Sequence, residues 1–348
     1  MLTVSAIIPH AGGLEILREC LHSLAACSGI DLEVVIVDNG SDEKPVDWEI
    51  DAFPNAQVLR FECRLGFAAA CNRGVEAAHG EYIFLFNNDA VTDPGALKLL
   101  AEAMAADPEV VAVQPKILWY NDPRFFDYSS ACGGLIDRYG IPFARGRLFE
   151  TLELDTGQYD KPAQIFWGAG AALMIRRDKY LAAGGLEEPF FAHMEEIDLL
   201  WRLQLMGGRV EVVPAAVVRH RGAVTIKTGS FLKLYLNHRN SLAMMVRNYS
   251  LVSLLRFFPP RIAMDAAFAL LSLFRLDFRR LWAVLRAGLW ILLSPGYLIE
   301  GRRRVQRLRQ VPDSTILSRM FPGSIAWHYY VRRRRTCTEL EQVQAVRP

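Results

Sequence analysis

The apolar run Tyr82-Ile83-Phe84-Leu85-Phe86 ends on Asn87-Asn88-Asp89, three successive oxygen-bearing side chains where a buried strand would stop. Oxygen ligands in that place suit Mg²⁺ or Mn²⁺, an ion that bridges two phosphates and neutralises the charge of a leaving diphosphate. The plainer alternative is an Asx-rich turn that caps a helix at Pro94. Val34-Val35-Ile36-Val37-Asp38-Asn39-Gly40-Ser41 likewise ends on a carboxylate before a tight turn. Asp38 there can accept from a nucleobase N–H or a ribose hydroxyl, or it can simply cap the turn. Phe190-Phe191-Ala192-His193-Met194-Glu195-Glu196-Ile197-Asp198 crowds three acids onto the first turn of a helix. One or two acids would satisfy the positive helix end. A third, after aromatics, suits a base that takes the proton of an attacking hydroxyl.

Two further signals are weaker. Gly66 opens a segment of small residues, Phe67 to Asn72, whose backbone amides could approach a phosphate and ribose. His220, flanked by Arg219 and Arg221 after a short strand, could join a carboxylate on a divalent ion while the arginines meet phosphates; a lone His is more often structural.

These residues need elements to position them. Short β-branched runs at 4–8, 32–37, 57–61, 82–86 and 110–113 alternate with helical stretches at 14–26, 68–78 and 94–105. The alternation predicts βαβ units and a mostly parallel, Rossmann-like α/β sheet flanked by helices, with ligands at the carboxyl ends of the strands. Asp93 before Pro94 reads as an N-cap with Pro at the first helical position. Residues 121–165 are polar and weakly periodic, and read as an irregular insertion within the acceptor region. Regular structure resumes over 164–175, followed by a helix near Asp178, a helix over 194–206 and short strands at 209–213 and 217–219.

The 348 residues are 51% hydrophobic and 22% charged, globular values that exclude wholesale disorder. A net charge of +2 conceals an asymmetry: residues 250–348 hold 17 Arg, no Lys and six acids. The six scattered cysteines form no C-x-x-C pair, which argues against structural zinc and fits a reducing compartment. Residues 2–9 read as a first strand rather than a signal peptide. From Phe231 the chain turns to long apolar stretches broken by Arg. Pro259, Pro260, Arg286 and Pro295 interrupt any clean span, so helices lying in a membrane interface, with Trp282 and Trp290 beside arginines, are expected rather than spanning ones. Packing of these helices on the body or on a second copy, as a homodimer, is the alternative.

In this order and spacing the pieces resemble glycosyltransferase family 2, inverting enzymes with a GT-A fold, and especially its bacterial rhamnosyltransferase-like branch, over roughly residues 2–225. The resemblance implies a catalytic domain over 1–228, with a helical, basic, membrane-associated tail over 229–348. It implies that Pro9, His10, Asp38 and Asn39 serve the nucleotide, and that Gly66, Phe67 and Asn72 lie beside the donor. Asn87-Asn88-Asp89 takes the place of the family's Asp-x-Asp motif, with Asp89 as chief metal ligand, Asn87 and His220 joining it and Asn88 by the donor. Glu195-Glu196 looks like the family's Glu-Asp pair, making Glu196 the base, with Glu195 and Asp198 in the same catalytic cluster. Trp167 and Gly168 resemble the segment that shapes the acceptor side. Two departures matter. Asn87 replaces an acid, so the ion should bind mainly with the donor diphosphate; and His10-Ala11-Gly12 replaces Thr-Tyr-Asn after the first strand, which leaves the base of the nucleotide open.

The activity implied is transfer of rhamnose or another hexose from a dTDP- or UDP-sugar, with Mg²⁺ or Mn²⁺. The implied acceptor is a lipid-linked or polysaccharide hydroxyl, at the cytoplasmic face of the membrane. A non-catalytic sugar-nucleotide-binding module would not need the acids at 195–198. A sugar nucleotidylyltransferase would carry a basic residue in the loop His10-Ala11-Gly12-Gly13-Leu14. The Arg-rich stretches lack the aromatic platform of a nucleic-acid site, so no nucleic-acid partner is expected.

Overall fold

The computed structural model describes residues 1–43, 53, 56–128, 131–222 and 229–340. The end of the resemblance near 225 and the last residue of the expected catalytic domain, 228, lie outside the described residues.

The chain opens with β1 (Thr3–His10), α1 (Leu14–Ala25), β2 (Asp31–Asn39), β3 (Gln57–Phe61), α2 (Phe67–Ala77) and β4 (Tyr82–Phe86). In the order β3-β2-β1-β4 these strands pair in parallel, as the strand–helix alternation requires. All five residues of β4 are buried, as expected of a strand covered on both faces. The register sets His10 opposite Asp38 and brings the ends of β1, β2 and β4 to one edge.

The second half of the sheet is mixed. It comprises β5 (Ala90–Thr92), then α3 (Ala96–Ala106), β6 (Val110–Trp119) and, after an insertion, β11 (Ala163–Ile165), β12 (Ala172–Arg176) and β13 (Arg209–His220). Strand β12 runs antiparallel between β4 and β6, whereas β13 runs parallel to β6. The two strands expected at 209–213 and 217–219 are one, bulged between Val213 and Val217, where Pro214 has no N–H to give the ladder. The expected N-cap is also absent: α3 starts after Gly95, and Asp93 pairs with Arg219 at 2.6 Å instead.

The insertion is not irregular. β7 (Gly134–Ile136), β8 (Pro142–Ala144), β9 (Arg147–Leu148) and β10 (Thr151–Leu152) form an antiparallel meander. Strands of two or three residues carry no periodic signal, which is why the pattern concealed them.

Next come α4 (Arg177–Ala182), α5 (Glu195–Leu205), α6 (Phe231–Asn248), α7 (Leu251–Phe274), α8 (Phe278–Leu293), α9 (Pro295–Leu308) and α10 (Asp313–Ser318). The C-terminal helices share the core of the body. Met244, Met245, Tyr249, Leu298 and Ile316 lie in one apolar cluster with Leu85 of β4 and Trp201 of α5. An ionic lattice reinforces the joint: fully buried Arg247 reaches Glu187 at 2.5 Å and Asp198 at 3.7 Å, and Arg304 of α9 reaches Glu187 at 2.5 Å.

Helix α7 is inverted. It buries Ser253, Phe257, Arg261, Asp265 and Ser272 while Val252, Leu255, Leu270 and Phe274 are exposed. Arg261 is held inside by Tyr139 O (2.9 Å), Ser241 Oγ (2.8 Å) and Asp265 (3.2 Å).

Candidate active site

The turn after β4 is fixed first. Asn87 N donates to Ala171 O at 3.0 Å, and Asn88 Nδ2 reaches Gly12 O at 3.2 Å and His10 Nδ1 at 3.1 Å. His10 is fully buried and positions Asn88. This turn aims Asp89 at the end of β13, where His220 Nε2 lies 3.2 Å from Asp89 Oδ1 and 3.2 Å from the Asn87 carboxamide. On the other side of the ring, His220 Nδ1 lies 3.1 Å from Asp127. Burial opposes charge on the imidazole, but Asp127 and Asp89 outweigh it and lift it to about 10. Burial also works to raise Asp89, and the His220 hydrogen bond overcomes it, holding the carboxyl below its ordinary range.

Asp127 had no signal in the sequence beyond being an acid in a polar stretch. Its place beside Nδ1 matters because it fixes the other nitrogen, Nε2, toward Asp89, the arrangement by which a carboxylate orients a metal-binding His. In the structure the charged imidazole bridges the two carboxylates, Asp89 at Nε2 and Asp127 at Nδ1; it would have to lose its Nε2 proton before it could ligate a cation beside Asp89. Among the described residues no group of three His, Cys, Asp or Glu converges on one point. The arginines beside His220 are those expected to meet phosphates. Arg219 and Arg221 are not free for those phosphates: Arg219 pairs with Asp93, and Arg221 pairs with Glu19 and stacks on Tyr120 at 3.7 Å.

Asp38 does cap its turn, accepting from Ser41 N at 3.0 Å through Oδ1, and its Oδ2 makes no hydrogen bond to a described residue. Asn39 accepts from Leu65 N at 2.7 Å and so anchors the approach to Gly66, while Pro9 stays partly exposed on the same edge. The expected use of the α2 amides is overturned. Phe67 N and Ala68 N donate to Phe191 O at 2.8 and 3.4 Å. Gly66 has φ 89°, and a Cβ there would meet the Phe191 ring at 2.6 Å, so the glycine admits Phe191 rather than a ligand. Asn72 is corrected in the same way: Tyr180 Oη and Leu186 N donate to its oxygen, and its nitrogen donates to Leu186 O and Glu188.

The acids at the head of α5 separate by environment. Asp198 is corrected from a catalytic to a structural residue. It is fully buried, pairs with Arg202 at 2.9 Å and accepts from Asn248 Nδ2 at 3.0 Å. Burial works to raise it, but Arg247 and Arg202 prevail and keep it ionised. Glu195 and Glu196 have no such partners among the described residues, and one oxygen of each is buried without a hydrogen bond to any of them. Burial, with Glu196 beside it, pushes the nearly inaccessible Glu195 well above the carboxylate range. Burial brings the more accessible Glu196 to about 7.

The turn that presents them is strained. Phe191, His193 and Met194 have φ of 66°, 67° and 72°, each costing on the order of 1–3 kcal/mol. A residue unsuspected from sequence over-determines that turn. Asn240 of α6 donates through Nδ2 to the carbonyls of Phe190 (3.0 Å), Ala192 (3.1 Å) and His193 (2.8 Å). Burial, and Lys233 nearby, lower His193 to about 4, so it is neutral.

Trp167 and Gly168 prove to be packing residues. Trp167 is 5% exposed and donates to Leu135 O at 2.7 Å, and a Cβ on Gly168 would strike Leu173 at 2.7 Å. Both support the sheet junction next to the region expected to shape the acceptor side.

Residues 5–177 match the family model for Glycosyl transferase family 2, and that match contains the parallel half of the sheet and Asp89. The chain belongs to glycosyltransferase family 2. Relatives agree. It is 25% identical over 252 residues to N-acetylglucosaminyl-diphospho-decaprenol L-rhamnosyltransferase of Mycobacterium tuberculosis, covering 67% of this chain and 81% of that one. It is 28% identical over 225 residues to the pre-mycofactocin glycosyltransferase of the same organism, covering 62% and 42% respectively. Among solved structures it resembles GalNAc-T7 crystallised with UDP, GalNAc and Mn²⁺. That match has a TM-score of 0.57 at 16% identity over 84% of this chain and 58% of that one. The likeness establishes the GT-A fold for this family 2 glycosyltransferase, with helices added at its C-terminus.

Proposed function

We propose that this glycosyltransferase moves a deoxyhexosyl or hexosyl unit, with inversion, from a dTDP- or UDP-sugar to a hydroxyl of a glycan carried on a lipid diphosphate. The observation that carries the reading is Glu196: a half-buried carboxylate without a side-chain partner, raised to about 7, on a turn held strained by Asn240. A base with that affinity takes the acceptor proton near neutral pH as the oxygen attacks the anomeric carbon. Glu195, pushed well above the carboxylate range by burial, lies behind it. Asp38 Oδ2 meets the nucleoside, and Asp89 with His220 holds the end of the donor where the diphosphate leaves. A divalent cation bound there, Mg²⁺ or Mn²⁺, would supply charge neutralisation for that diphosphate. The rhamnosyl donor and the lipid-diphosphate acceptor are suggested by the name of the mycobacterial relative.

The test is a panel of UDP-, dTDP- and GDP-sugars with Mn²⁺, read as nucleotide release with and without a GlcNAc-diphospho-lipid. Release that rises with the lipid is expected for a dTDP- or UDP-sugar; absence of binding to every donor would end the proposal.

In this reading residues 1–228 hold donor and base, and the helices after 229 bring them to the inner face of the cell membrane as a peripheral, cytoplasmic enzyme. α7, 24 residues with mean hydropathy 1.3 over its most apolar window, is long enough to cross a bilayer, but its buried Arg261 and Asp265 bind it to the body. Its exposed apolar face continues into Phe278, Trp282, Leu289 and Leu293 of α8, beside exposed Arg256, Arg275, Arg279 and Arg280. An aromatic, apolar face edged by arginine suits an anionic lipid surface. Replacing Trp282, Leu289 and Leu293 with Ser should lower co-sedimentation with anionic vesicles by at least about tenfold, since each buried side chain contributes roughly 1.5–3 kcal/mol. Donor hydrolysis should not change. Unaltered vesicle binding would refute the interface, and dimer dissociation in its place would assign the face to a second copy.

A further inference from the structure

We propose that Arg147 and Lys233 form a second anion site, which takes the diphosphate of the acceptor rather than that of the donor; this rests on the lipid-diphosphate reading above. The two cations come from unrelated elements, Arg147 from β9 and Lys233 from the first turn of α6, and meet at one ring. Arg147 Cζ lies 3.5 Å from the centroid of Tyr128 and Lys233 Nζ lies 5.8 Å from it. Arg147 spends Nε on Phe149 O at 2.8 Å and Nη1 on Tyr128 O, which fixes the guanidinium and leaves Nη2 to donate. The Lys233 ammonium makes no hydrogen bond or ion pair to a described residue, and neither does Arg147 pair with an acid among them. Two like charges, both partly withdrawn from water, disfavour each other and their own ionisation. Burial depresses both, and Arg147 depresses Lys233 further. Asp127 and Glu150 are in electrostatic reach but outside pairing distance, and Asp127 is engaged by His220. A fixed guanidinium beside an ammonium, neither paired with an acid among the described residues, matches a diphosphate, whose oxygens accept charge-assisted hydrogen bonds from both.

Its location separates it from the donor. Asp89 and Asp127 hold opposite nitrogens of His220, and the cation pair belongs with Asp127. Lys233 also faces His193, whose turn leads directly into Glu195 and Glu196. α6 leads into the exposed apolar helices, so a lipid lying along them brings its diphosphate past Lys233 and its sugar hydroxyl toward Glu196.

The full chain can test this with little disturbance of the fold, because Lys233 contributes only a distant ring contact with Tyr128, whereas Arg147 secures two carbonyls. Lys233→Gln should raise KM for a short-chain GlcNAc-diphospho-lipid by at least about tenfold. KM for octyl β-GlcNAc, which has no phosphate, and KM for the nucleotide-sugar should remain as in the parent, and Lys233→Arg should recover most of the loss. A rise in donor KM instead would assign the pair to the donor diphosphate. An equal loss with both acceptors, or none with either, would also overturn the proposal. Transfer to the octyl glycoside with none to the diphospho-lipid would defeat the acceptor reading and this site together; normal transfer to the lipid with an indifferent Lys233→Gln would defeat the site alone.

Discussion

Glu196→Gln lowers kcat by a factor on the order of 10²–10⁴, the usual contribution of a positioned general base, while donor affinity stays within about twofold. The amide keeps the shape of the side chain but cannot accept the acceptor proton. The pH dependence gives a second reading of the same group. Only the ionised form is a base, so the parent activity should fall as pH drops through about 7, the value to which burial brings Glu196. Above it the rate should level off. The residual activity of the variant should lack that acid limb. Glu195→Gln serves as the control: Glu195 is nearly inaccessible, so its replacement should cost far less in rate. Equal losses from both substitutions, or an acid limb that persists in Glu196→Gln, would remove Glu196 from the role of base. Calorimetric titration with the nucleoside diphosphate separates this from a failure to bind donor.

Arg247→Met should produce the largest loss of stability, about 3 kcal/mol, because removing one member of a buried ionic cluster leaves its partners desolvated. Glu187 and Asp198 both face this guanidinium at full or near-full burial. The cost is set near the lower end of that range because Arg304 and Tyr297 still reach Glu187, and Arg202 still reaches Asp198. A fall in Tm on the order of 5 °C should follow for a chain of this size. The cluster also predicts a direction with pH. The folded Asp198 carboxyl lies below its unfolded value of about 3.9, so its contribution is fully present above that value and is lost as pH falls through the folded one. An unchanged Tm in Arg247→Met would show that the lattice contributes nothing net. The substitution should also lower kcat, since α6 carries Asn240, and Asn240 holds the turn that presents Glu196.

The parallel half of the sheet was legible because its signal is local. Five β-branched runs with helices between them admit few arrangements, and β1, β2 and β4 deliver Asp38 and Asp89 to the sheet edge where the sequence placed them. Glu195 and Glu196 were equally visible as acids on one helical turn. The meander at β7–β10 was not, since two-residue strands have no period to read.

Residue types and spacing determined the family and the α/β architecture, and offered the side chains from which a reactive site could be built. What each of those side chains faces was decided by the tertiary structure. Asp198 and Glu196 are both acids on one helix turn; Arg202, Arg247 and Asn248 make the first a buried strut, and the second, with no such partner among the described residues, is the one proposed as the base. The same holds for Gly66 and Asn72, claimed by Phe191 and the 180–188 segment. Asp127, Asn240 and Lys233 drew no notice because their value lies in contacts made across long stretches of chain. Proton affinity and free hydrogen-bonding capacity are properties of surroundings, and those surroundings exist only once the chain has folded.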